Sequence, residues 1–277
     1  MSAKSTEVHL GNATKLPQAI DDSFNLFDTN GTSGWYTLDV LNNDKGGNAK
    51  HIVSIDGLGV LGQDYTINDG GTISVHLDNI DPGTIAALNF SYTIQLGNGA
   101  LSTADVQLQV ASTESLLENG SFENPDDLPA PAGWTTTDIP GWTNTNGSDI
   151  EVWATGHGGI DATDGTYLIE TDSYSNVFDA IQTTIDAATG VTYELTFDFA
   201  ARPDGPGNTT DSFEVWWNGS LVGSFNPAST DFQSASIDVV GAAGTDTLEI
   251  REAGANDSYG ALVDNVSLVI TNGDWMA

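Results

Sequence analysis

Phe213-Glu-Val-Trp-Trp-Asn-Gly219 alternates apolar and polar side chains and then stops at an Asn-Gly pair. Residues two apart share one face of a strand. Phe213, Val215 and Trp217 are therefore expected to face a core, leaving Trp216 on the opposite face. Further strand-like runs fall at 149–154, 166–170, 191–200, 234–240, 246–251 and 261–270. Turn clusters such as Thr155-Gly-His-Gly-Gly159 and Pro203-Asp-Gly-Pro-Gly-Asn208 separate them, and no helical periodicity of any length intervenes. The expected architecture for 113–277 is an antiparallel β-jelly roll.

Upstream, Trp35-Tyr-Thr-Leu-Asp-Val-Leu41 also alternates before ending at Asn42-Asn-Asp-Lys-Gly-Gly47. Phe90-Ser-Tyr-Thr-Ile-Gln-Leu96 and Ala104-Asp-Val-Gln-Leu-Gln-Val110 read as a hairpin about Gly97-Asn-Gly99. A β-sandwich over 1–112 follows, joined to the jelly roll by the polar stretch Ala111-Ser-Thr-Glu114. The length of 277 residues suits two such domains, each with its own core. The fold class is all-β.

Charge sets the next constraint. The chain carries 39 Asp plus Glu against 6 Lys plus Arg, a formal net charge of −33. Residues 113–277 hold 27 of the acids and only two arginines. Such self-repulsion opposes a compact state unless cations offset it. Calcium takes six to eight oxygen ligands from carboxylates, amides and carbonyls, all abundant here, so Ca2+ is the expected cofactor. A solvated acidic surface accounts for most of the remaining charge. Nucleic acid and anionic membranes, both polyanions, are excluded as partners. No run of about 20 apolar residues is present to insert in a bilayer. With no cysteine, neither a disulfide framework nor a thiolate metal site is open to the chain.

Leu38-Asp-Val-Leu-Asn-Asn-Asp44, Phe90-Ser-Tyr-Thr-Ile94 and the segment from Gly97 to Val106 resemble the bacterial cadherin-like repeats of secreted adhesins and RTX-type proteins. That resemblance implies an immunoglobulin-like extender domain, often stiffened by calcium. Asp39, Asp44 and Asp105 are candidate ligands there, although a lone loop Asp also forms turns. His9, His51 and His76 lack ligand spacing. In the second part, Asn119-Gly-Ser-Phe-Glu123 opens the domain and Ala261-Leu-Val-Asp-Asn-Val-Ser-Leu-Val269 closes it. Together they resemble the galactose-binding-like jelly roll of carbohydrate-binding modules and DUF642-type lectin-like domains. The resemblance implies that the first and last strands lie side by side, with Glu123 and Asp264 on one calcium ion and Asn119 and Asn265 nearby.

Sugar recognition calls for an aromatic face and planar polar groups. Glu151, Trp153 and Glu170 supply both kinds, and Glu151 shares a strand face with Trp153. Arg202 and Arg251 are the only arginines, so each is expected to meet a fixed carboxylate or a ligand. Arg202, before a Pro/Gly-rich loop, could pair with Glu151 or Glu170 or fork onto sugar hydroxyls. Trp216 and His157 complete the candidate ligand-binding set, while Trp134 and Trp142 read as core or rim aromatics.

Three functions remain in contention. The first is a calcium-binding adhesin-type protein whose lectin-like domain binds a glycan or matrix polysaccharide. The second is a matrix or surface-layer protein that self-associates with calcium. A hydrolase working through Glu151 and Glu170 would need them astride a cleft at a defined separation, and close acid pairs arise by chance in so acidic a chain. No catalytic residues are assigned, and the chain is read as a binding protein rather than an enzyme. The expected location is the cell surface or beyond. The N-terminal ten residues lack a signal's apolar core, so type I secretion is the expected route, although no Gly-Gly-x-Gly-x-Asp array is present.

Overall fold

The computed structural model describes residues 19–271, except 29–32, 46, 48, 59–63, 79–80, 96, 98, 128–129, 147–148, 174–178, 205–210 and 256. His9, Asn98 of the expected hairpin turn, much of the 203–208 loop and the tail after Thr271 lie outside the described residues. The chain divides into two compact units, 1–81 with 85–111, and 82–84 with 112–277. Both are built from antiparallel strands, as the alternating pattern requires.

The first unit contains β1 (Asp22–Asp28), β2 (Ser33–Leu38), β3 (His51–Asp56), β4 (Tyr65–Ile67), β5 (Ile73–Asp78), β6 (Ile85–Gln95) and β7 (Leu101–Ser112). They form a sheet ordered β1-β7-β6-β3 and another ordered β2-β5-β4. The β6–β7 register runs from Ile85 opposite Ala111 to Gln95 opposite Leu101. It places Leu88, Phe90, Tyr92 and Ile94 beside Val106, Leu108 and Val110 in one buried cluster with Leu38, Ile73 and Val75. Asp44 is buried and accepts hydrogen bonds from the Tyr92 hydroxyl (3.0 Å) and the Ile20 amide (2.7 Å). The Asp105 amide donates to Asp21 Oδ1, while Asp39 and His51 are exposed and the His76 ring lies tilted against Trp35, centroids 5.1 Å apart.

The second unit contains β8 (Trp134–Thr137), β9 (Thr143–Asn144), β10 (Ile150–Ala154), β11 (Tyr167–Glu170), β12 (Ala180–Ile185) and β13 (Thr192–Ala200). It continues with β14 (Phe213–Trp217), β15 (Ser220–Phe225), β16 (Gln233–Val240), β17 (Asp246–Glu252) and β18 (Leu262–Ile270). A six-stranded sheet ordered β16-β13-β18-β11-β10-β8 accompanies a five-stranded sheet ordered β15-β14-β17-β12-β9. Phe197 and Phe199 from the first meet Phe213 and Phe225 from the second, with ring centroids 5.1 to 6.0 Å apart. Phe213, Val215 and Trp217 are buried and Trp216 is half-buried, the alternation expected of that stretch. Fully burying each such ring contributes about 1.5–3 kcal/mol.

Residues 115–123 form no strand, although the resemblance implies a first strand beside the last one. They still run beside β18, since the Leu116 amide donates to Leu268 O and the Val266 amide to Gly120 O. Asn119 and Phe122 adopt positive φ, which breaks the extended backbone. β10 departs from simple alternation because it is buried on both faces. Loops cover the outer face of its sheet, where Trp153, Leu168, Ala200 and Leu262 make a small second core.

Candidate functional site

In β10 and β11, Glu151 stands directly opposite Glu170, so two carboxylates share the sheet's outer face. Glu151 is 4% exposed and Glu170 0%. Like charges at that spacing in a dry site need a cation, and Arg202 supplies it from just beyond β13. Its Nη1 lies 3.7 Å from Glu151 Oε1 and 3.4 Å from Glu170 Oε1, and its Nε donates to Asp204 Oδ1 at 2.8 Å. Nη1 also donates to Ser258 O (2.9 Å). The guanidinium carbon sits 4.9 Å from the centroid of the Trp153 ring and 4.6 Å from that of Tyr259, within cation–π range.

The carboxylates are fixed from other sides too. Trp153 Nε1 donates to Glu151 Oε1 (2.7 Å), the Asp172 amide donates to Glu170 Oε2 (2.8 Å), and the Gly260 amide donates to Glu170 Oε1. A Cβ at Gly260 would lie 2.5 Å from Thr171 Oγ1 and 2.7 Å from the Asp172 amide nitrogen, so only glycine allows that approach. Burial raises the pKa of Glu170, and the Glu151 charge raises it further. Burial likewise raises Glu151, against the lowering effects of the Trp153 hydrogen bond and Arg202.

Glu151, Trp153, Glu170, Arg202 and His157 come together here. His157 reaches the group from the short 3-10 turn His157–Gly159, its ring edge-on to Trp153 with centroids 4.3 Å apart and Nδ1 3.0 Å from Ala132 O. Trp153 itself is 1% exposed, so its ring has no face free for a sugar and instead supports Arg202. Trp216 lies elsewhere, on the five-stranded sheet. Arg251 covers its ring at 4.1 Å, and Arg251 in turn pairs with Glu249 at 2.6 Å.

Sequence reasoning missed two members of the group, Tyr259 and Asp204, and left Trp134 as a core or rim aromatic. Trp134 is 52% exposed and sits opposite Trp153 in the β8–β10 register. Tyr259 and Asp204 flank Arg202. The pairing of Trp134 with Trp153 depends on strand register, which no local pattern around Trp134 reveals. Trp142, by contrast, is buried against Phe122 and donates to Asn119 O. Glu151 and Glu170 are both buried, with the Arg202 guanidinium against their carboxylates.

Glu123 and Asp264 converge on one loop. Glu123 Oε1 accepts from the Thr166 and Tyr167 amides at 2.7 and 2.8 Å. Asp264 Oδ2 accepts from the Thr163 and Asp164 amides at 2.7 and 3.0 Å. Gly165 between them has φ +73°, and a Cβ there would lie 2.5 Å from Glu123 Oε1. Asn119 holds the Glu123 and Pro140 carbonyls through Nδ2, while Asn265 Nδ2 turns to Asp198. Burial raises Asp264 to about 6 even though amides donate to it. Two carboxylates at one loop would cancel the charge of a hard divalent cation. Among the described residues no group of three or more His, Asp or Glu side chains is set to hold a metal, so further ligands would be amide or carbonyl oxygens or water.

No family model matches the chain. It is 28% identical over 152 residues to a multifunctional-autoprocessing repeats-in-toxin protein of Vibrio vulnificus, covering 55% of this chain and 3% of the toxin. A protein of the same description from Vibrio cholerae serotype O1 is 28% identical over 167 residues, covering 60% of this chain and 3% of that one. A family 35 carbohydrate binding module from Clostridium thermocellum shares 14% identity with a TM-score of 0.34, over 50% of this chain and 99% of that chain. The chain is thus similar in sequence to two repeats-in-toxin proteins and spans about 3% of their length.

Proposed function

We propose that this is a secreted or surface-exposed, calcium-binding adhesin-type protein whose second unit binds carbohydrate, with the first unit a cadherin-like extender. The observation that carries the reading is the arrangement at Arg202. An exposed indole, Trp134, lies on the same sheet face as a guanidinium that two buried carboxylates hold in place, with Asp204, His157 and Tyr259 around it. Trp134 offers a flat apolar surface to the C–H face of a pyranose, and Arg202, Asp204 and His157 offer groups for its hydroxyls. A pre-positioned site of this kind loses little entropy on binding. Similarity to repeats-in-toxin proteins supports an exported protein. Calcium at Glu123 and Asp264 would clamp the 163–167 loop to β18 and hold the end of β11 in register.

A glycan panel followed by titration calorimetry in calcium tests this. Saturable binding to one sugar class is expected, with Trp134→Ala weakening it by about tenfold or more through loss of about 1.4 kcal/mol or more of contact and leaving the melting temperature unchanged. Binding that survives Trp134→Ala would place the sugar elsewhere, and no binding to any glycan would overturn the reading.

A further inference from the structure

One end of the second unit gathers far more buried negative charge than Arg202 balances. Glu151, Glu170, Asp172, Asp179, Asp211 and Glu252 are each at most 5% exposed. Most have partners. Asp179 accepts from Asn144, Asn146 and the Ser173 amide, and Asp211 accepts from the Arg202 amide. Glu252 is different, since among the described residues neither of its oxygens has a hydrogen-bond partner. Asp172, fully buried, uses Oδ2 to accept the Asp257 and Ser258 amides (3.0 and 2.8 Å) but leaves Oδ1 unpartnered. Asp257 Oδ1 is unpartnered as well.

A buried carboxylate oxygen without a donor is costly, and a charged one more so. The Glu252 amide donates to Asp179 O (2.9 Å), and Asp179 Oδ2 accepts from the amide of Ser173, the residue after Asp172 (2.7 Å). The unpartnered oxygens therefore belong to neighbouring groups that repel one another. Hydrogen-bond donors already satisfy the surrounding carboxylates, so these atoms are the ones left for a ligand.

We infer that Asp172 and Glu252 hold a divalent cation of the calcium class, at a site distinct from Glu123 and Asp264. Two carboxylates cancel the ion's charge, and carbonyl oxygens and water complete a shell of six to eight. Among the described residues no third acid is set to join them, so the remaining ligands are carbonyl oxygens and water. The ion ties the end of β11 to the end of β17. Asp172 also anchors the Ser258 segment, whose carbonyl accepts from Arg202. Binding the ion therefore orders the mouth at which the sugar is proposed to sit, although the inference does not depend on that sugar.

Calorimetric calcium titration of the EDTA-treated full chain tests it, comparing wild type with Glu252→Gln, Asp172→Asn and Glu123→Gln. Glu252→Gln is expected to lose one equivalent of bound calcium that Glu123→Gln retains, and to show a smaller calcium-induced rise in melting temperature. Asp172→Asn, which keeps the side-chain shape, should lose the same equivalent and guards against a Glu252 variant that does not fold. The inference fails if both variants bind as much calcium as wild type. It also fails if Glu252→Gln raises the calcium-free melting temperature with an unchanged calcium response, because the pocket would then hold a proton rather than an ion.

Discussion

Arg202 shows how one side chain can hold a site together. It lies over Trp153 and contacts two buried glutamates that would otherwise repel. Removing one partner of a buried ion pair leaves an uncompensated charge and costs about 3–5 kcal/mol. Arg202→Met should therefore lower stability by about that amount in urea unfolding. The same change in a Glu151→Gln/Glu170→Gln background should cost clearly less, and equal costs in the two backgrounds would refute the coupling. Trp153→Ala is expected to destabilise by about 3–5 kcal/mol, as for other buried tryptophans. Its exposed neighbour Trp134, cut to alanine, should leave the unfolding midpoint nearly unchanged. The two indoles are cross-strand neighbours with opposite roles, and burial separates them.

Among the elements, the 163–167 loop matters most, because Glu123 and Asp264 both hold it by its amides. Gly165→Ala forces an L side chain into positive φ, costing about 1–2 kcal/mol, and drives a methyl group into Glu123. Lower thermal stability and weaker calcium binding should appear together. Unchanged calcium affinity would separate the loop from the ion. β10 teaches a different lesson. Its sequence Ile150-Glu-Val-Trp-Ala154 reads as a strand with one polar face, yet loops from distant parts of the chain bury that outer face as well.

For the whole molecule, the buried acids predict a pH dependence. Glu252 at about 8, Asp211 at about 6 and the raised Glu151 and Glu170 bind protons more tightly folded than unfolded. Their contribution to stability is full below their ordinary pKa values near 4 and is lost as pH rises through the folded values. Asp198 and Asp204, both lowered, act in the opposite sense only at more acidic pH. In EDTA the urea midpoint should fall steadily between pH 5 and about 8, and calcium should flatten that slope. A midpoint that rises over this range would contradict the assignment.

The sequence by itself determined the all-β class and most strands of the second unit. Period-2 alternation is a local consequence of the pleat, legible at 191–200, 212–217 and 246–251 without any partner strand. It also singled out Arg202 and the two glutamates it meets, because arginine is so scarce here. Only the tertiary structure decided that Trp153 is a buried support and Trp134 an open face, that Arg251 covers Trp216, and that Glu252 is left without a donor among the described residues. Exposure and hydrogen-bond satisfaction depend on which loops fold over a sheet. Those loops come from distant parts of the chain, as Thr163 and Asp264 lie 101 residues apart, where no local pattern reaches.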